Sequence, residues 1–335
     1  EDLRAEIQAL EREAGLEGEA IPASKEKEIA MSSLTCSTAY DIRGEIGVNI
    51  DENIVYRIGR ATSQHFSAKS VVIGFDARET SPAFAAAASQ GVRDAGADVI
   101  KIGMAGTEEM YWAVTEFGAC AGIEVTASHN PIDYNGMKIV KSGSIPLDDV
   151  GDFQVIKALA SSQEWRDVDG MGEEFDRSTE ARKAYVDRVL TFVDVKALRP
   201  LKIVVNSGNG AGGPTFDAIA ERLQALGAPL EFIRVHHTPD ATFPNGIPNP
   251  LLSENHSATA DVVRAESADF GIAFDGDFDR CFFFDDTGKF VPGEYVVGLL
   301  ASIFLEKEAG AKIVHDPRVI WSTQDIVAGK GGTAA

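Results

Sequence analysis

The segment from Phe274 to Arg280 has the residue pattern with the clearest chemical meaning in the sequence. Its three aspartates, Asp275, Asp277 and Asp279, stand at alternate positions directly after an apolar run. Because side chains alternate along an extended chain, all three carboxylates can project to one side. Converging carboxylates repel each other unless a cation neutralises them, and their oxygens suit a hard ion such as Mg²⁺. The pattern therefore predicts a Mg²⁺ site at these three aspartates.

This acidic segment has alternative interpretations. An EF-hand would need Gly at the sixth loop position and Glu at the twelfth, where this chain has Arg280 and Asp286. A phosphatase that forms an aspartyl-phosphate would use Asp275 as its nucleophile, but the third aspartate favours a metal site. A solvated acidic turn is the remaining structural alternative.

The loop from Thr126 to Pro131 is a second candidate, because it also follows an apolar run. Ser128 stands where α/β sheets place ligands, and a serine hydroxyl can carry a phosphoryl group. The Gly-x-Ser-x-Gly pattern of serine hydrolases is absent. In an extended chain the side chain of His129 would point away from Ser128, which makes it a poor triad partner. Taken alone, the loop also fits a turn closed by Ser and Asn side chains.

The elements that position these loops alternate between strand and helix, and this alternation predicts an α/β fold of serial domains with mixed sheets. Strands are predicted at 71–75, 98–102, 123–126, 201–205, 230–235, 269–274 and 312–315. Helices are predicted at 81–96, 107–117, 179–193, 214–226, 294–306 and 323–328. Ser81 is the expected N-cap of the first of these helices, with Pro82 at its first helical position.

Turn-rich polar segments divide the chain into regions. Apolar residues at helical spacing between Leu3 and Ala14 predict that the N-terminal extension is partly helical. The last region has one clear strand, which is too little for a complete sheet. The predicted regions are the extension at 1–30, a first domain with the serine loop at 31–175, a second with the acidic segment at 176–290, and a truncated third at 291–335.

A glycine-rich segment from Gly208 to Gly213 lies between a predicted strand and helix and matches the G-x-G-x-x-G pattern. A dinucleotide site would also need an acidic residue near the end of the next strand, where Val235, His236 and His237 stand instead. The alternative, which we favour, is a glycine turn that lets the helix and strand pack closely.

Composition excludes several classes of partner. The chain has 335 residues with 31 Lys and Arg against 52 Asp and Glu, a formal net charge of −21. Nucleic acids and anionic membranes attract basic surfaces, so neither is expected as a partner. No apolar run approaches the roughly 18 residues of a membrane helix. Three widely spaced cysteines indicate reduced thiols and a cytoplasmic protein.

Three motifs together resemble signatures of the α-D-phosphohexomutase family, in the same order and spacing. They are the segment from Tyr40 to Gly44, the loop from Thr126 to Pro131, and the segment from Asp275 to Arg280. Within that family the chain is similar to the bacterial phosphomannomutases, over residues 34 to about 333. The resemblance implies four α/β domains around one cleft, with the third incomplete and the fourth absent in this chain.

The resemblance also implies a phosphoserine at Ser128, with Mg²⁺ between its phosphate and the three aspartates. Arg43, Lys138 and Arg280 would stabilise charge on the transferring phosphoryl group. The implied catalytic residues are Ser128, Arg43, His129, Lys138 and Arg280, the implied metal ligands are Ser128, Asp275, Asp277 and Asp279, and the implied substrate contacts are Tyr40 and Arg318.

The implied reaction moves phosphate between C6 and C1 of mannose through a hexose 1,6-bisphosphate, in support of nucleotide-linked mannose synthesis. Phosphoglucomutase is the alternative, since the family's sugar-selecting Gly-Glu-x-Ser-x-His loop is not found. Gly293 and Glu294 continue into an apolar helix instead. A truncated chain that binds metal and phosphate but turns over poorly is a further alternative.

Overall fold

A computed structural model of the chain describes residues 34–36, 41–316 and 320–335. The predicted helical extension at 1–30, Tyr40 and Arg318 lie outside these described residues. The helices are α1 Glu52–Phe66, α2 Ser81–Asp94, α3 Thr107–Glu116, α4 Asp152–Ser162, α5 Ser178–Leu190, α6 Gly212–Ala225, α7 Ser257–Glu266, α8 Gly293–Lys307 and α9 Trp321–Gly329. Over the described ranges, no helix combines the length and the apolar character needed to cross a membrane.

Within the described residues the strands form two large mixed sheets and one small sheet, which confirms the predicted α/β class. The strands are β1 Ile42–Glu45, β2 Ser70–Phe75, β3 Asp98–Met104, β4 Ala121–Val125, β5 Tyr134–Lys141, β6 Ile145–Pro146, β7 Glu174–Asp176, β8 Leu201–Asn206, β9 Leu230–Val235, β10 Phe270–Phe274, β11 Cys281–Phe284, β12 Phe290–Val291, β13 Lys312–Ile313 and β14 Thr333–Ala334. The seven predicted strands lie within a few residues of β2, β3, β4, β8, β9, β10 and β13, and the other strands, including the eight-residue β5, were not predicted.

The first sheet places the serine loop at the end of one of its central strands. Its order is β1-β5-β4-β2-β3-β7, with β6 paired to β5. Strand β4 runs parallel to β2 and antiparallel to β5. Helices α1, α2 and α4 cover one face and α3 and α5 cover the other, so every residue of β4 is buried. Two covered faces explain why β4 is apolar almost throughout.

The second sheet places the acidic segment in a similar position. Its order is β12-β11-β10-β8-β9, and β10 runs parallel to β8. Helix α6 packs on one face through Phe216, and α7 packs on the other through Val263. Strand β10 ends at Phe274, so the three aspartates leave the sheet at its carboxyl edge, where ligands bind in α/β sheets.

The last part of the chain forms a small unit rather than a full sheet. Strand β13 pairs in parallel with β14, a strand that the sequence did not predict. Helices α8 and α9 pack against this pair through Leu305 and Val327. Large apolar side chains of α8, including Leu299 and Phe304, remain about half exposed. The unit is thus less well buried than the two preceding it.

Two local features differ from expectation. The N-cap of α2 is Thr80, and the predicted cap Ser81 is instead the first helical residue. The reason is that the Ser81 hydroxyl donates to the buried carboxylate of Asp76 at 2.6 Å. In addition, β7 pairs with β3 in the first sheet, so the domain boundary predicted at 175, which stays a prediction, falls inside a strand.

Candidate active site

The serine loop and the acidic segment meet, although they leave different sheets. The Ser128 hydroxyl donates to Asp275 Oδ2 at 2.9 Å. Their backbones are also close, since a Cβ atom on Gly276 would lie 2.6 Å from the Ser128 carbonyl oxygen. Glycine at this position therefore allows the two loops to touch.

Ser128 adopts a backbone conformation that few residues other than glycine use. Its φ angle is +49° and its side chain is almost fully buried. Its amide donates to Thr126 Oγ1 at 2.8 Å, and that hydroxyl in turn donates to Asp76 Oδ2 at 2.7 Å. Because the left-handed region is costly for L-residues, these contacts must hold the serine in place.

His129 lies beside the Ser128 hydroxyl, so the expectation that its side chain points elsewhere is wrong. Its Nδ1 is 3.1 Å from Ser128 Oγ and also contacts the Arg280 guanidinium. That expectation assumed an extended chain, whereas the left-handed turn at Ser128 brings the imidazole back. Burial and the nearby Arg280 lower the pKa of His129, which favours a neutral imidazole near neutral pH.

The three aspartates converge as predicted. One carboxylate oxygen from each of Asp275, Asp277 and Asp279 lies within 4.8 Å of the others. The Oδ1 atoms of Asp277 and Asp279 are buried and have no hydrogen-bond partner among the described residues. Buried acceptors without donors are costly, and an oxygen-lined site of this kind fits Mg²⁺. These residues could therefore hold the predicted ion.

Lys138 approaches the other side of the same carboxylates. Its ammonium donates to Asp277 Oδ2 at 2.7 Å and also to Asp279 Oδ2, while the Thr107 hydroxyl donates to Asp277 Oδ2 at 2.7 Å. Burial alone would raise the pKa of Asp277, but Lys138 and Thr107 hold it at about 2. Burial likewise opposes the charge of Lys138, yet the two carboxylates raise its pKa.

Asp275 and Arg280 form the part of the site nearest the serine. Burial and the charge of Asp277 raise the pKa of Asp275 to about 7, although Arg280 opposes this shift. Arg280 donates from Nε to Asp275 Oδ2 at 2.9 Å and from Nη2 to Ser128 Oγ at 3.3 Å. The guanidinium is thus close enough to the serine oxygen to stabilise a negative charge there.

Arg43 is the third cation predicted for the site, and it contacts the base of the serine loop. Its Nη1 donates to the Thr126 carbonyl oxygen at 2.7 Å, and its Nη2 donates to Asp41 at 3.1 Å. The structure brings Ser128, His129, Lys138, Arg280 and the three aspartates into one network, with Arg43 at its edge.

Asp76, Arg78 and Thr107 also belong to the site, and no motif predicts them. Asp76 and Arg78 directly follow β2, the neighbour of β4, so they leave the same edge of the sheet as the serine loop. Their position just after an apolar strand is the sequence signal that could have identified Asp76 and Arg78 as site residues. Thr107 begins α3 and carries no comparable signal.

Glu109 joins the two halves of the site from within the protein. Its carboxylate is almost fully buried and accepts hydrogen bonds from Thr215 of α6 at 2.7 Å and from Arg182 of α5 at 3.2 Å. Close by, the ring of Phe278 packs so tightly against Gly106 that a Cβ atom there would lie 2.3 Å from it. These contacts fix the acidic segment against the first sheet.

Comparison with family models finds two matches in this chain. Residues 36–165 match the model described as phosphoglucomutase/phosphomannomutase, alpha/beta/alpha domain I. Residues 183–288 match the model described as domain II of the same family. The first match contains the serine loop and the second contains the three aspartates.

Curated relatives agree with these matches. The phosphomannomutases of Salmonella montevideo and Escherichia coli strain K12 are 53% and 52% identical to this chain over 303 residues. Each alignment covers 90% of this chain and 66% of the relative. The chain therefore spans just under two thirds of the length of these relatives.

Solved structures show the same similarity. A phosphoglucomutase/phosphomannomutase family protein of Burkholderia thailandensis superposes with a TM-score of 0.79 at 31% identity, covering 90% of this chain and 65% of that one. A protein described as a putative phosphomannomutase of Thermus thermophilus superposes with a TM-score of 0.76 at 26% identity, covering 89% and 68%.

Proposed function

We propose that this chain, which belongs to the phosphoglucomutase/phosphomannomutase family, carries the phosphoryl-transfer residues of a phosphohexose mutase, with Ser128 as the phosphoryl carrier. The observation that carries this proposal is the contact between the Ser128 hydroxyl and Asp275 at 2.9 Å. It brings a nucleophilic hydroxyl to three converging carboxylates and at least two cationic side chains. Phosphoryl transfer needs this combination of a positioned oxygen and charge compensation.

In the proposed reaction, phosphorylated Ser128 transfers its phosphoryl group to a free hydroxyl of a hexose monophosphate. The bond from phosphorus to Ser128 Oγ breaks, a bond to the sugar oxygen forms, and His129 passes the proton of the sugar hydroxyl to the released Ser128 oxygen. The product is a hexose 1,6-bisphosphate. Its other phosphate then returns to Ser128, so that the net result moves phosphate between C6 and C1.

His129 is suited to move the proton in these steps. Its Nδ1 lies 3.1 Å from Ser128 Oγ, which is within the reach required of a general acid or base. Burial lowers its pKa, so the neutral imidazole can accept a proton near neutral pH.

Charge compensation is the main task of the remaining residues. The transition state is loose, and catalysis relies on positioning and on stabilising the phosphoryl oxygens. Arg280 contacts Ser128 Oγ at 3.3 Å. Lys138 supplies positive charge at the aspartates, and Arg43 supplies it at the base of the serine loop. A Mg²⁺ ion held by Asp275, Asp277, Asp279 and the serine phosphate would neutralise part of the phosphate charge.

The proposed substrate is mannose 6-phosphate, with mannose 1-phosphate as product. The support is the identity of 53% and 52% with proteins named phosphomannomutase. Tyr40 and Arg318 are proposed to contact the sugar phosphate, by resemblance only. Glucose phosphates are the alternative substrates, and the free cysteines are consistent with the proposed cytoplasmic location.

Mass spectrometry of the intact protein tests the phosphoserine. We expect glucose 1,6-bisphosphate with Mg²⁺ to add one phosphoryl group to the unaltered chain and none to Ser128→Ala. Ser207→Ala is the matched control, because Ser207 is a buried serine that follows β8 at the corresponding edge of the second sheet. Equal labelling of Ser128→Ala, or no labelling of the unaltered chain, contradicts the proposal.

The sugar preference needs a separate measurement. A coupled assay with mannose 1-phosphate and glucose 1-phosphate, each supplied with catalytic hexose 1,6-bisphosphate, compares kcat/KM for the two substrates. We expect the larger value for mannose 1-phosphate. A larger value for glucose 1-phosphate would overturn the mannose assignment while leaving Ser128 as the carrier.

A further inference from the structure

A buried arginine lies directly beneath the serine loop and binds its backbone. The Arg78 guanidinium donates from Nη2 to the carbonyl oxygens of Ser128 at 3.0 Å and Asn130 at 2.6 Å. It donates from Nη1 to those of Pro131 at 2.7 Å and Tyr134 at 3.0 Å. The Arg78 side chain thus donates to four backbone carbonyl groups within residues 128–134.

The carbonyl groups of Ser128, Asn130 and Pro131 need a donor because they lie outside the sheets and helices, while Tyr134 begins β5. Buried carbonyl oxygens without a partner are costly, and hydrogen bonds to a charged donor are stronger than neutral ones. The fork of N–H groups on arginine can reach several acceptors at once, which a lysine ammonium cannot match in geometry. Arg78 therefore dictates where the carbonyl groups of the loop point.

Asp76 completes this arrangement from the same turn after β2. Its Oδ1 accepts from the Arg78 amide at 3.0 Å. Its Oδ2 accepts from Thr126 Oγ1 at 2.7 Å, and Thr126 Oγ1 in turn accepts from the Ser128 amide at 2.8 Å. The turn therefore holds Ser128 at both backbone groups. Arg78 binds its carbonyl oxygen, and Asp76 binds its amide through the Thr126 hydroxyl.

The second half of the molecule covers this arrangement. The ring of Phe243, from the loop after β9, lies 5.8 Å from the Arg78 guanidinium carbon and is almost fully buried. An aromatic face stabilises a guanidinium and excludes water from its hydrogen bonds. Formation of the arrangement is thus linked to packing of the loop after β9 against the turn after β2.

We propose that Arg78, supported by Asp76, is a positioning residue that holds Ser128 in its left-handed conformation, with the hydroxyl directed at Asp275 and the incoming phosphoryl group. This role rests on the proposed function of Ser128 as phosphoryl carrier. Arg78 touches neither the Ser128 hydroxyl nor the three carboxylates in the contacts described above, so it acts through the backbone of the loop.

Arg78→Lys is the main test, since it keeps the positive charge and loses the fork of donors. Arg57→Lys is its matched control. Arg57 is equally buried in α1 of the same half and donates to the Ala160 carbonyl oxygen, away from the serine loop. We expect Arg78→Lys to slow phosphorylation of Ser128 by glucose 1,6-bisphosphate with Mg²⁺ about 100-fold, the cost of a small misplacement of a reacting group. Arg57→Lys should react at the unaltered rate.

Hydrogen exchange separates positioning from general loss of structure. In Arg78→Lys we expect faster exchange over residues 126–135 by roughly tenfold to a hundredfold, as for loss of one charge-assisted hydrogen bond. Exchange in β8 and β9 should be unchanged. Equal phosphorylation rates in Arg78→Lys and Arg57→Lys overturn the proposal, as does exchange that rises evenly through the whole first sheet.

Asp76→Asn provides a second variant that keeps the shape of the turn while weakening its grip on Thr126. It should show the same local rise in exchange and a smaller loss of phosphorylation rate than Arg78→Lys. If the unaltered chain is never phosphorylated, the proposed function fails. The exchange result over residues 126–135 still decides whether Arg78 and Asp76 hold the loop.

Discussion

The serine loop and the metal loop, as we call the segment from Asp275 to Arg280, are alike in origin but are held by different forces. Each leaves the carboxyl end of a strand inside its sheet, β4 or β10. Each also contains one residue other than glycine with a positive φ angle, +49° at Ser128 and +42° at Phe278. Such conformations cost about 1–3 kcal/mol and persist only when surrounding contacts enforce them.

In the serine loop the enforcing contacts are polar. The Arg78 guanidinium and the Asp76 carboxylate bind the backbone on both sides of Ser128. Hydrogen bonds are directional, so they fix the direction of the hydroxyl. For the proposed phosphoryl carrier, this control directs the Ser128 hydroxyl toward the incoming phosphorus atom.

In the metal loop the side chain of the strained residue makes apolar contacts, beside one backbone hydrogen bond from the Phe278 amide to the Asp275 carbonyl oxygen at 3.1 Å. The Phe278 ring fills the space beside Gly106 of the first half, while the base of its side chain packs against Gly212 of the second. Dispersion contacts fix position rather than direction. The carboxylates obtain their direction from Lys138, Thr107 and the proposed ion. The comparison indicates that the metal loop also serves as the joint between the two halves.

The largest effect is expected from Asp277→Asn in the metal loop. Asp277 is fully buried, and its Oδ1 is one of the oxygens free to bind an ion. Loss of a residue that only hydrogen-bonds to a metal ligand typically lowers metal affinity roughly 10- to 100-fold. Replacing this carboxylate, a proposed ligand itself, by a neutral amide should lower Mg²⁺ affinity by more than that. Isothermal titration calorimetry measures it, with Asp286→Asn as the exposed control. Unchanged Mg²⁺ affinity would remove Asp277 from the proposed ligands.

Lys138→Met distinguishes charge compensation from metal binding. Without the ammonium, the carboxylates of Asp277 and Asp279 repel each other more strongly, which favours a bound cation. Phosphorylation of Ser128 should fall roughly 100-fold, as when one stabilising donor is removed, while Mg²⁺ affinity should not fall. Lys101→Met, which removes only an exposed ion pair with Glu174, is the control. A parallel loss of Mg²⁺ affinity would instead assign Lys138 to shaping the metal site.

Gly106→Ala tests the apolar joint directly. The new methyl group would lie 2.3 Å from the Phe278 ring and 2.7 Å from the Asp277 carbonyl oxygen, so the metal loop must shift. Overpacking of this kind costs about 1–3 kcal/mol, measured as a lower free energy of unfolding. Gly170→Ala is the control, because nothing within the described part of the chain lies within 4 Å of its Cβ position. Equal stability of the two variants would show that Phe278 is not tightly held.

Glu124→Gln is expected to change how stability depends on pH, through a carboxyl group buried beneath the serine loop. Glu124 lies on β4, and neither of its buried carboxylate oxygens has a hydrogen-bond partner in the described ranges. Burial raises its pKa well above the usual value. The charges of Asp76, Asp277 and Glu109 add to this shift, and Lys138 opposes it.

The sign of the pH dependence follows from that shift. A carboxyl group with a raised folded pKa binds more protons in the folded state, so stability falls as pH rises above the unfolded value of about 4.3. Glutamine does not titrate. The advantage of Glu124→Gln in free energy of unfolding should therefore grow by up to about 1.4 kcal/mol per pH unit until the folded pKa is passed. Urea unfolding between about pH 5 and pH 8 measures this, with the exposed Glu116→Gln as control, and a constant difference would contradict it.

Much of the fold follows from local sequence patterns. The strands at 71–75 and 230–235 were predicted to within a residue, because β-branched apolar runs bounded by turn residues leave few alternatives. Short elements such as β7 and β14 were not, because two or three residues carry too little periodicity. Their pairing depends on strands elsewhere in the chain.

The sequence by itself predicted the residue types of the proposed site. Three aspartates at alternate positions imply a shared cation, and a serine at the end of a buried strand implies an accessible nucleophile. Their grouping with Arg43, Lys138 and Arg280 was predicted by resemblance, and the structure brings the serine and the aspartates into contact.

Only the tertiary structure decided how these groups are held. The left-handed turn at Ser128 reverses the expected direction of His129, and Arg78 reaches carbonyl groups about 50 residues further along the chain. Likewise, Phe278 is anchored by Gly106, far earlier in sequence. Backbone strain and buried donors depend on contacts between distant segments, and local residue patterns contain no information about those contacts.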